Sequence, residues 1–297
     1  MSILSRIAST IAYALAVVMI AGTALAADLT VGGKDFTEQL LVAEMTKQLL
    51  ESKGHRVDKK DGMGTNIVRA ALESGEVDLY WEYTGTSLVT FNKVTERLDP
   101  EQTYARVKDL DGAKGLVWLA PSNANNTYAL AIRKDNPKTE GMTAISEMAA
   151  AYKAGESLLM ATTAEFPKRE DGLIGLEKAY EFKAGRRNIR PMEIGLVYPA
   201  LAGGDVDVAV VGATDGRIAA MDLVLLKDDR NFFPNYALVP VVRQEVLKEH
   251  PELQGILEAL SARLDDTVMQ RLNGEVDVEK KSVEEVAATF LREAGLL

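Results

Sequence analysis

The chain has 297 residues, 26% of them charged and 47% hydrophobic, with 34 Lys+Arg against 44 Asp+Glu and a formal net charge of -10. That balance excludes nucleic acid or an anionic membrane surface as a partner, since either calls for a basic face. There is no cysteine, which excludes a disulfide framework and a lipid-modified N-terminal cysteine, so core burial alone must hold the fold.

Taken in chain order, Arg6 precedes an apolar run over 7–20, and Ala24-Leu25-Ala26 offers the small-x-small pattern of a cleavage site. Residues 1–26 are therefore expected to be a cleaved signal peptide. Removing 26 of 297 residues leaves 271, enough for two lobes of ordinary size. The removed part carries only Arg6, so the mature charge is -10 - 1 = -11.

Short apolar strands then alternate with amphipathic helices, the pattern of an α/β fold with largely parallel sheets. A strand is expected over 29–33 and a helix over 36–52, with Leu40, Leu41, Met45 and Leu49 at helical spacing and Glu38 in the first turn. A helix over 66–74 and strands near 77–80, 116–119 and 128–132 follow. Further strands are expected near 158–161, 206–211, 223–226 and 237–242, and mostly helix from Gln244 onward.

The stretch 71–79 resembles 200–208: each reads as a helix end, a Gly stop and a strand, running into Thr84-Gly85-Thr86 or Thr214-Asp215-Gly216. Such joints are common in α/β proteins. The sharper reading is two lobes of like design, with matching turns on opposite walls of a cleft at the carboxyl ends of the strands.

Nucleophile, metal and nucleotide templates are missing. There is no G-x-S-x-G and no H-E-x-x-H, and the only histidines, His55 and His250, sit in polar contexts that predict solvated surface positions. Gly32-Gly33-Lys34 lacks the spacing of a phosphate loop. No catalytic residue, cofactor or metal is expected. Aromatic residues instead cluster at strand ends, in Tyr80-Trp81-Glu82-Tyr83, Asn126-Thr127-Tyr128 and Phe232-Phe233-Pro234-Asn235-Tyr236.

Six ordered motifs are similar to those of the periplasmic substrate-binding proteins of osmoprotectant ABC transporters for glycine betaine, choline and related solutes. They are Gly-Gly-Lys-Asp-Phe-Thr-Glu-Gln at 32–39, Glu-Tyr-Thr-Gly-Thr at 82–86, Asn-Thr-Tyr-Ala-Leu-Ala at 126–131, Glu-Phe-Pro-Lys-Arg at 165–169, Thr-Asp-Gly-Arg-Ile at 214–218 and Phe-Phe-Pro-Asn-Tyr at 232–236. The resemblance implies an aromatic cage of Tyr83, Tyr128 and Tyr236 for a trimethylammonium head, which cannot donate hydrogen bonds and is held by ring faces. It implies Lys34, Thr86 and Arg169 as donors to the ligand carboxylate, with Glu165 orienting Arg169.

Two departures stand out. A further cage tyrosine is replaced by the Val211-Gly212-Ala213 stretch, and an acid is replaced by Asn126. Tyr80, Trp81 and Tyr198 are candidates for a replacement ring. The expected consequence is weaker betaine binding or a bulkier ligand.

The resemblance thus implies a two-lobed periplasmic binding protein of type II-like α/β fold, with lobe I over 27–127 and 235–297 and lobe II over 128–234. A monomer that hands its solute to inner-membrane permease subunits is expected. A receptor for another zwitterion such as an amino acid is the alternative, and an exported enzyme is disfavoured by the lack of a nucleophile–base pair.

Overall fold

The structure, a computed structural model, describes residues 28–297. The expected signal peptide lies outside the described residues. Two five-stranded sheets organise the chain. The first contains β1 (Asp28–Lys34), β2 (Arg56–Met63), β3 (Leu79–Tyr83) and β4 (Leu116–Trp118), joined by β10 (Leu238–Arg243), in the order β2-β1-β3-β10-β4. The second contains β5 (Tyr128–Arg133), β6 (Met160–Thr162), β7 (Ile189–Pro191), β8 (Val208–Gly212) and β9 (Leu223–Leu226), in the order β7-β6-β8-β5-β9. Helices α1 (Thr37–Ser52), α2 (Thr65–Ser74) and α3 (Pro100–Gly112) belong with the first sheet. Helices α4 (Ile145–Lys153), α5 (Leu173–Tyr180), α6 (Ile194–Gly203) and the short α7 (Arg217–Ala220) belong with the second. The chain ends in α8 (Gln244–Glu249), α9 (Glu252–Ser261), α10 (Asp266–Asp277) and α11 (Val283–Glu293). Among the described residues, no helix is long and apolar enough to cross a membrane.

The sheets are mixed, which corrects the expectation of largely parallel ones. β1 pairs parallel with β2 and β3, and β6 with β7 and β8, whereas β10 runs antiparallel to β3 and β4, and β5 to β8 and β9. The reason is topological. β5 and β10 are the strands entered directly after the chain crosses from the other sheet, so they start at the end where their neighbours finish. The two crossing segments lie antiparallel to each other, bridged at Asn125 and Ala237, and the Asn125 side-chain oxygen accepts from the Tyr236 amide at 2.8 Å.

The repeated joint seen in the sequence is a repeated structure. α2 stops at Gly75 (φ +83°) and α6 at Gly204 (φ +85°). A Cβ there would also stand 2.7 Å from an Arg243 nitrogen in one lobe and 2.5 Å from an Arg133 nitrogen in the other. Asp78 accepts from the Thr30 amide and Asp207 from the Leu159 amide, both at 2.8 Å, so each lobe ties the start of its third strand-order element to the neighbouring strand in one way.

Strands β2 and β7 were not expected. β2 reads Arg-Val-Asp-Lys-Lys-Asp-Gly-Met, with only Val57 buried, because it is an edge strand whose charges face water. Apolar periodicity cannot reveal such a strand. Central β3 is the opposite case: all five residues are buried. Trp81 and Tyr83 join the cluster under α1, α10 and α11, while Tyr80 packs on the α2 side. Full burial of one such side chain contributes about 1.5–3 kcal/mol.

Candidate functional site

A cavity of about 440 Å³ lies between the two sheets, within the range of small-molecule sites. It is lined from the first sheet's side by the end of β1 and start of α1, the end of β3, Tyr236 and Asn273. From the second sheet's side come Tyr128, the segment after β6, the start of α6, and the turn after β8. All eight residues expected to bind ligand, namely Lys34, Tyr83, Thr86, Asn126, Tyr128, Glu165, Arg169 and Tyr236, line this one space.

Local structure explains how they reach it. Lys34 is the last residue of β1 and alternation puts it on the same strand face as Gly32, where its ammonium reaches Glu82 of β3, while the β1–β2 register shifts beside it with the extra residue on β2. A Cβ on Gly32 would meet Val77 at 2.8 Å and one on Gly33 would meet Asp61 at 2.9 Å, so the glycine pair serves close packing. Tyr128 packs against the cores of both lobes, as expected of a residue at a crossing.

The rings are gathered. Tyr128 and Tyr236 meet edge to face with centroids 5.5 Å apart, and Phe36 stacks with Tyr83 at 6.3 Å. Burial raises the Tyr83 and Tyr236 hydroxyls well above the usual phenol range and pushes Tyr128 up to about 12, so the rings stay neutral. Cations stand beside these rings: Lys34 Nζ is 4.9 Å from the Tyr83 centroid and the Arg169 guanidinium 5.6 Å from that of Tyr128.

Each cation already has an acid. Lys34 Nζ donates to Glu82 Oε1 at 2.5 Å, and burial, opposed by Glu82, lowers its pKa. Arg169 donates from Nε and Nη2 to Asp171 at 2.8 and 2.5 Å, and the Tyr236 hydroxyl donates to the same carboxylate at 2.8 Å. Glu165 stands 4.0 Å from Arg169 Nη1. Asp171, not Glu165, therefore orients Arg169, and the two-residue spacing lets a carboxylate meet the guanidinium fork side-on.

Asn126, which stands where an acid was expected, is itself bonded to an acid from another part of the chain. Buried Glu38, in the first turn of α1, accepts on Oε1 from the Tyr83 hydroxyl at 2.7 Å and Asn126 Nδ2 at 3.0 Å. Its Oε2 accepts from the Thr214 hydroxyl at 2.5 Å and Asn273 Nδ2 at 3.2 Å. Burial raises its pKa, while those four hydrogen bonds pull it down. An acid at 126 would place two carboxylates in contact.

Of the candidate replacement rings, Tyr80 and Trp81 are fully buried in the first lobe and do not line the cavity. Tyr80 bonds Glu82, and the Trp81 indole N–H bonds Thr46 at 2.8 Å. Tyr198 does line the cavity, and its hydroxyl accepts from the Gly212 amide at 3.4 Å. Arg217 covers its ring, 4.0 Å from the centroid, and is itself held by Asp215 and Asp277. Counting the lining, three cations (Lys34, Arg169, Arg217) face five acids (Asp35, Glu38, Glu165, Glu193, Asp215). The cavity is net acidic. Asp35 has a raised pKa, chiefly from burial, with Glu165 and Glu193 adding to it.

Comparison with known proteins agrees with this architecture. Residues 27–293 match the family model described as the substrate binding domain of ABC-type glycine betaine transport system. The chain is 42% identical over 300 residues to a glycine-betaine-binding protein of Pseudomonas aeruginosa, covering 99% of this chain and 96% of that one. It is 35% identical to the glycine betaine-binding protein YehZ of Escherichia coli K12, covering 95% and 97%. A crystal structure titled as a glycine betaine/carnitine/choline ABC transporter superposes with a TM-score of 0.72 at 30% identity, over 91% of this chain and 99% of that one. The chain belongs to the family of substrate-binding domains of ABC-type glycine betaine transport systems.

Proposed function

We propose that the protein captures a small quaternary-ammonium zwitterion of the glycine betaine type and presents it to the permease of an ABC importer. As a member of a family of transport binding domains it is a binding protein and not an enzyme. The observation that carries the ligand class is the convergence of Tyr83, Tyr128 and Tyr236 with Lys34, Thr86 and Arg169 on one cavity. In such a solute the ammonium and acid groups are a few bonds apart, so rings and cationic side chains must stand side by side.

Glu38 favours a quaternary over a primary ammonium. A carboxylate has about four lone-pair sites, and the four donors on Glu38 fill them. It can still supply a negative field to a cation that donates nothing. The acid group of the solute would accept from Arg169 Nη1, Lys34 and the Thr86 hydroxyl. That two relatives are glycine betaine-binding proteins supports the same reading.

The finer parts of the proposal rest on the sequence. Residues 1–26 direct export to the periplasm and are removed, residues 27–127 with 235–297 close on residues 128–234, and the chain acts as a monomer. Affinity for glycine betaine is lower than a complete cage would give, because Arg217 covers Tyr198 beside the gap at Gly212. A missing cation–π contact is worth about 0.5–2 kcal/mol, up to some thirtyfold in affinity.

Isothermal titration with glycine betaine, choline, carnitine and glycine tests this. Glycine betaine is expected to bind at one site, with choline and glycine at least tenfold weaker. Choline binding without betaine binding would overturn the role of the acid group, and glycine binding alone would overturn the cage. A sub-micromolar glycine betaine constant would overturn the reduced affinity.

A further inference from the structure

The two histidines of the chain, remote from each other in sequence, come together on the first lobe away from the cavity. His55 lies between α1 and β2, and His250 between α8 and α9. Their rings meet edge to face, with centroids 5.8 Å apart and planes at 89°. Glu252, the first residue of α9, places one oxygen between them: Oε1 is 3.6 Å from His55 Nε2 and 3.4 Å from His250 Nδ1. These separations exceed the 2.7–3.2 Å of a hydrogen bond to oxygen. The two histidines, expected at solvated surface positions, are partly buried against each other.

We propose that His55, His250 and Glu252 form a binding site for a divalent transition-metal ion of the zinc type. Metal bonds of 2.0–2.1 Å in tetrahedral geometry put donor atoms roughly 3.3–3.5 Å apart, close to the two separations to Glu252. The three donor atoms all lie within 4.8 Å of one another. Side-chain exposures of 12% for His55, 21% for His250 and 48% for Glu252 leave an approach for the ion and for water in the remaining position. Two imidazole nitrogens with one carboxylate suit zinc, nickel or copper, whereas magnesium and calcium demand oxygen ligands.

A bound ion would clip the turn after α1 to the α8–α9 junction. None of the three residues lines the cavity, so the site is structural with respect to solute binding. It serves the stability of the first lobe.

The test is titration of the untagged, chelator-stripped protein with Zn²⁺, with Mg²⁺ as control. The parent and the variants His55→Gln, His250→Gln and Glu252→Gln are compared, together with the double histidine variant. One saturable Zn²⁺ site per chain is expected, with no Mg²⁺ binding. Each single substitution should weaken Zn²⁺ at least tenfold. Zn²⁺ should raise the melting temperature of the parent but not of the double variant, while glycine betaine titrations stay unchanged. Matching melting curves in chelator identify variants that fold, and Glu252→Gln at a half-exposed position provides an arm the fold tolerates. Absence of saturable Zn²⁺ binding, or undiminished binding by the double variant, would overturn the site and leave a simple polar contact of the two histidines with Glu252.

Discussion

Glu38 shows how much one side chain can organise. Its four donors come from β3, from a crossing segment, from the turn after β8 and from α10, so a single carboxylate ties both lobes to the cavity wall. The amide at 126 is part of that design, since it donates where an acid could not. Asn126→Asp would set two carboxylates at hydrogen-bond distance, and such a pair shares one proton, with one pKa strongly raised. The folded pair would then bind a proton that the unfolded chain releases. The variant should therefore lie near the parent in stability at acid pH and fall behind it, by about 1–3 kcal/mol, as pH rises through the raised value. Urea unfolding at pH 5 and pH 8 measures the difference, and a constant gap at both would contradict the shared proton.

The short π-helical turn Thr86–Phe91 carries Thr86 to the cavity, and a buried acid behind it holds the turn in place. Asp111, at the end of α3, takes a two-point contact from Arg69 of α2 at 2.7 and 2.7 Å, the Ser87 hydroxyl at 2.7 Å, the Trp118 indole at 2.9 Å and the Asn92 amide at 3.0 Å. Burial alone would raise this carboxyl, but Arg69 and the other donors hold it well below the usual carboxylate range. The stabilisation it gives is complete above the unfolded value of about 3.9 and is lost as pH falls from there toward the folded value. Asp111→Asn leaves Arg69 buried without its main counter-charge and should cost about 3–5 kcal/mol at neutral pH. The penalty should shrink below pH 4. Chemical denaturation of parent and variant at pH 7 and pH 3 reads both effects.

At the scale of the whole molecule, the lobes meet where the turn after β8 rests on α10. Arg217 reaches Asp277 at 3.2 Å, Asn273 Nδ2 donates to the Thr214 carbonyl at 3.0 Å, and Gln270 Nε2 donates to the Ala213 carbonyl at 3.1 Å. Gly216 permits the approach: a Cβ there would lie 2.7 Å from the Gln270 carbonyl oxygen and 2.7 Å from Gly274 Cα, both backbone atoms that cannot swing aside. A Cβ on Gly274 would meet only Gly216 Cα, at 3.8 Å. Gly216→Ala should thus hold the lobes apart and weaken solute binding at least tenfold. Gly274→Ala should leave binding unchanged and add up to about 1 kcal/mol of helix stability. Titration with glycine betaine, paired with small-angle scattering of both variants, checks this, and equal effects at the two positions would refute the close-contact account.

Local patterns along the chain were enough to determine most of the alternating α/β elements and the repeated helix–Gly–strand joint, because strand-end aromatics and Gly-stopped helices are local signals, whereas the eight residues that line the cavity were named by the resemblance of their motifs to a known family. Edge strand β2, the antiparallel course of β5 and β10, and the partnerships of Glu38, Asp171 and Arg217 were decided only in three dimensions. In the sequence Glu38 is an ordinary helix-start acid, Asp171 an ordinary loop acid, and Tyr80, Trp81 and Tyr198 are equivalent spare rings. Burial, and which groups face one another across a cleft between sheets, depend on contacts between distant segments, and no local pattern encodes them. The same holds for His55 and His250, which are isolated polar residues in the sequence and neighbours in the fold.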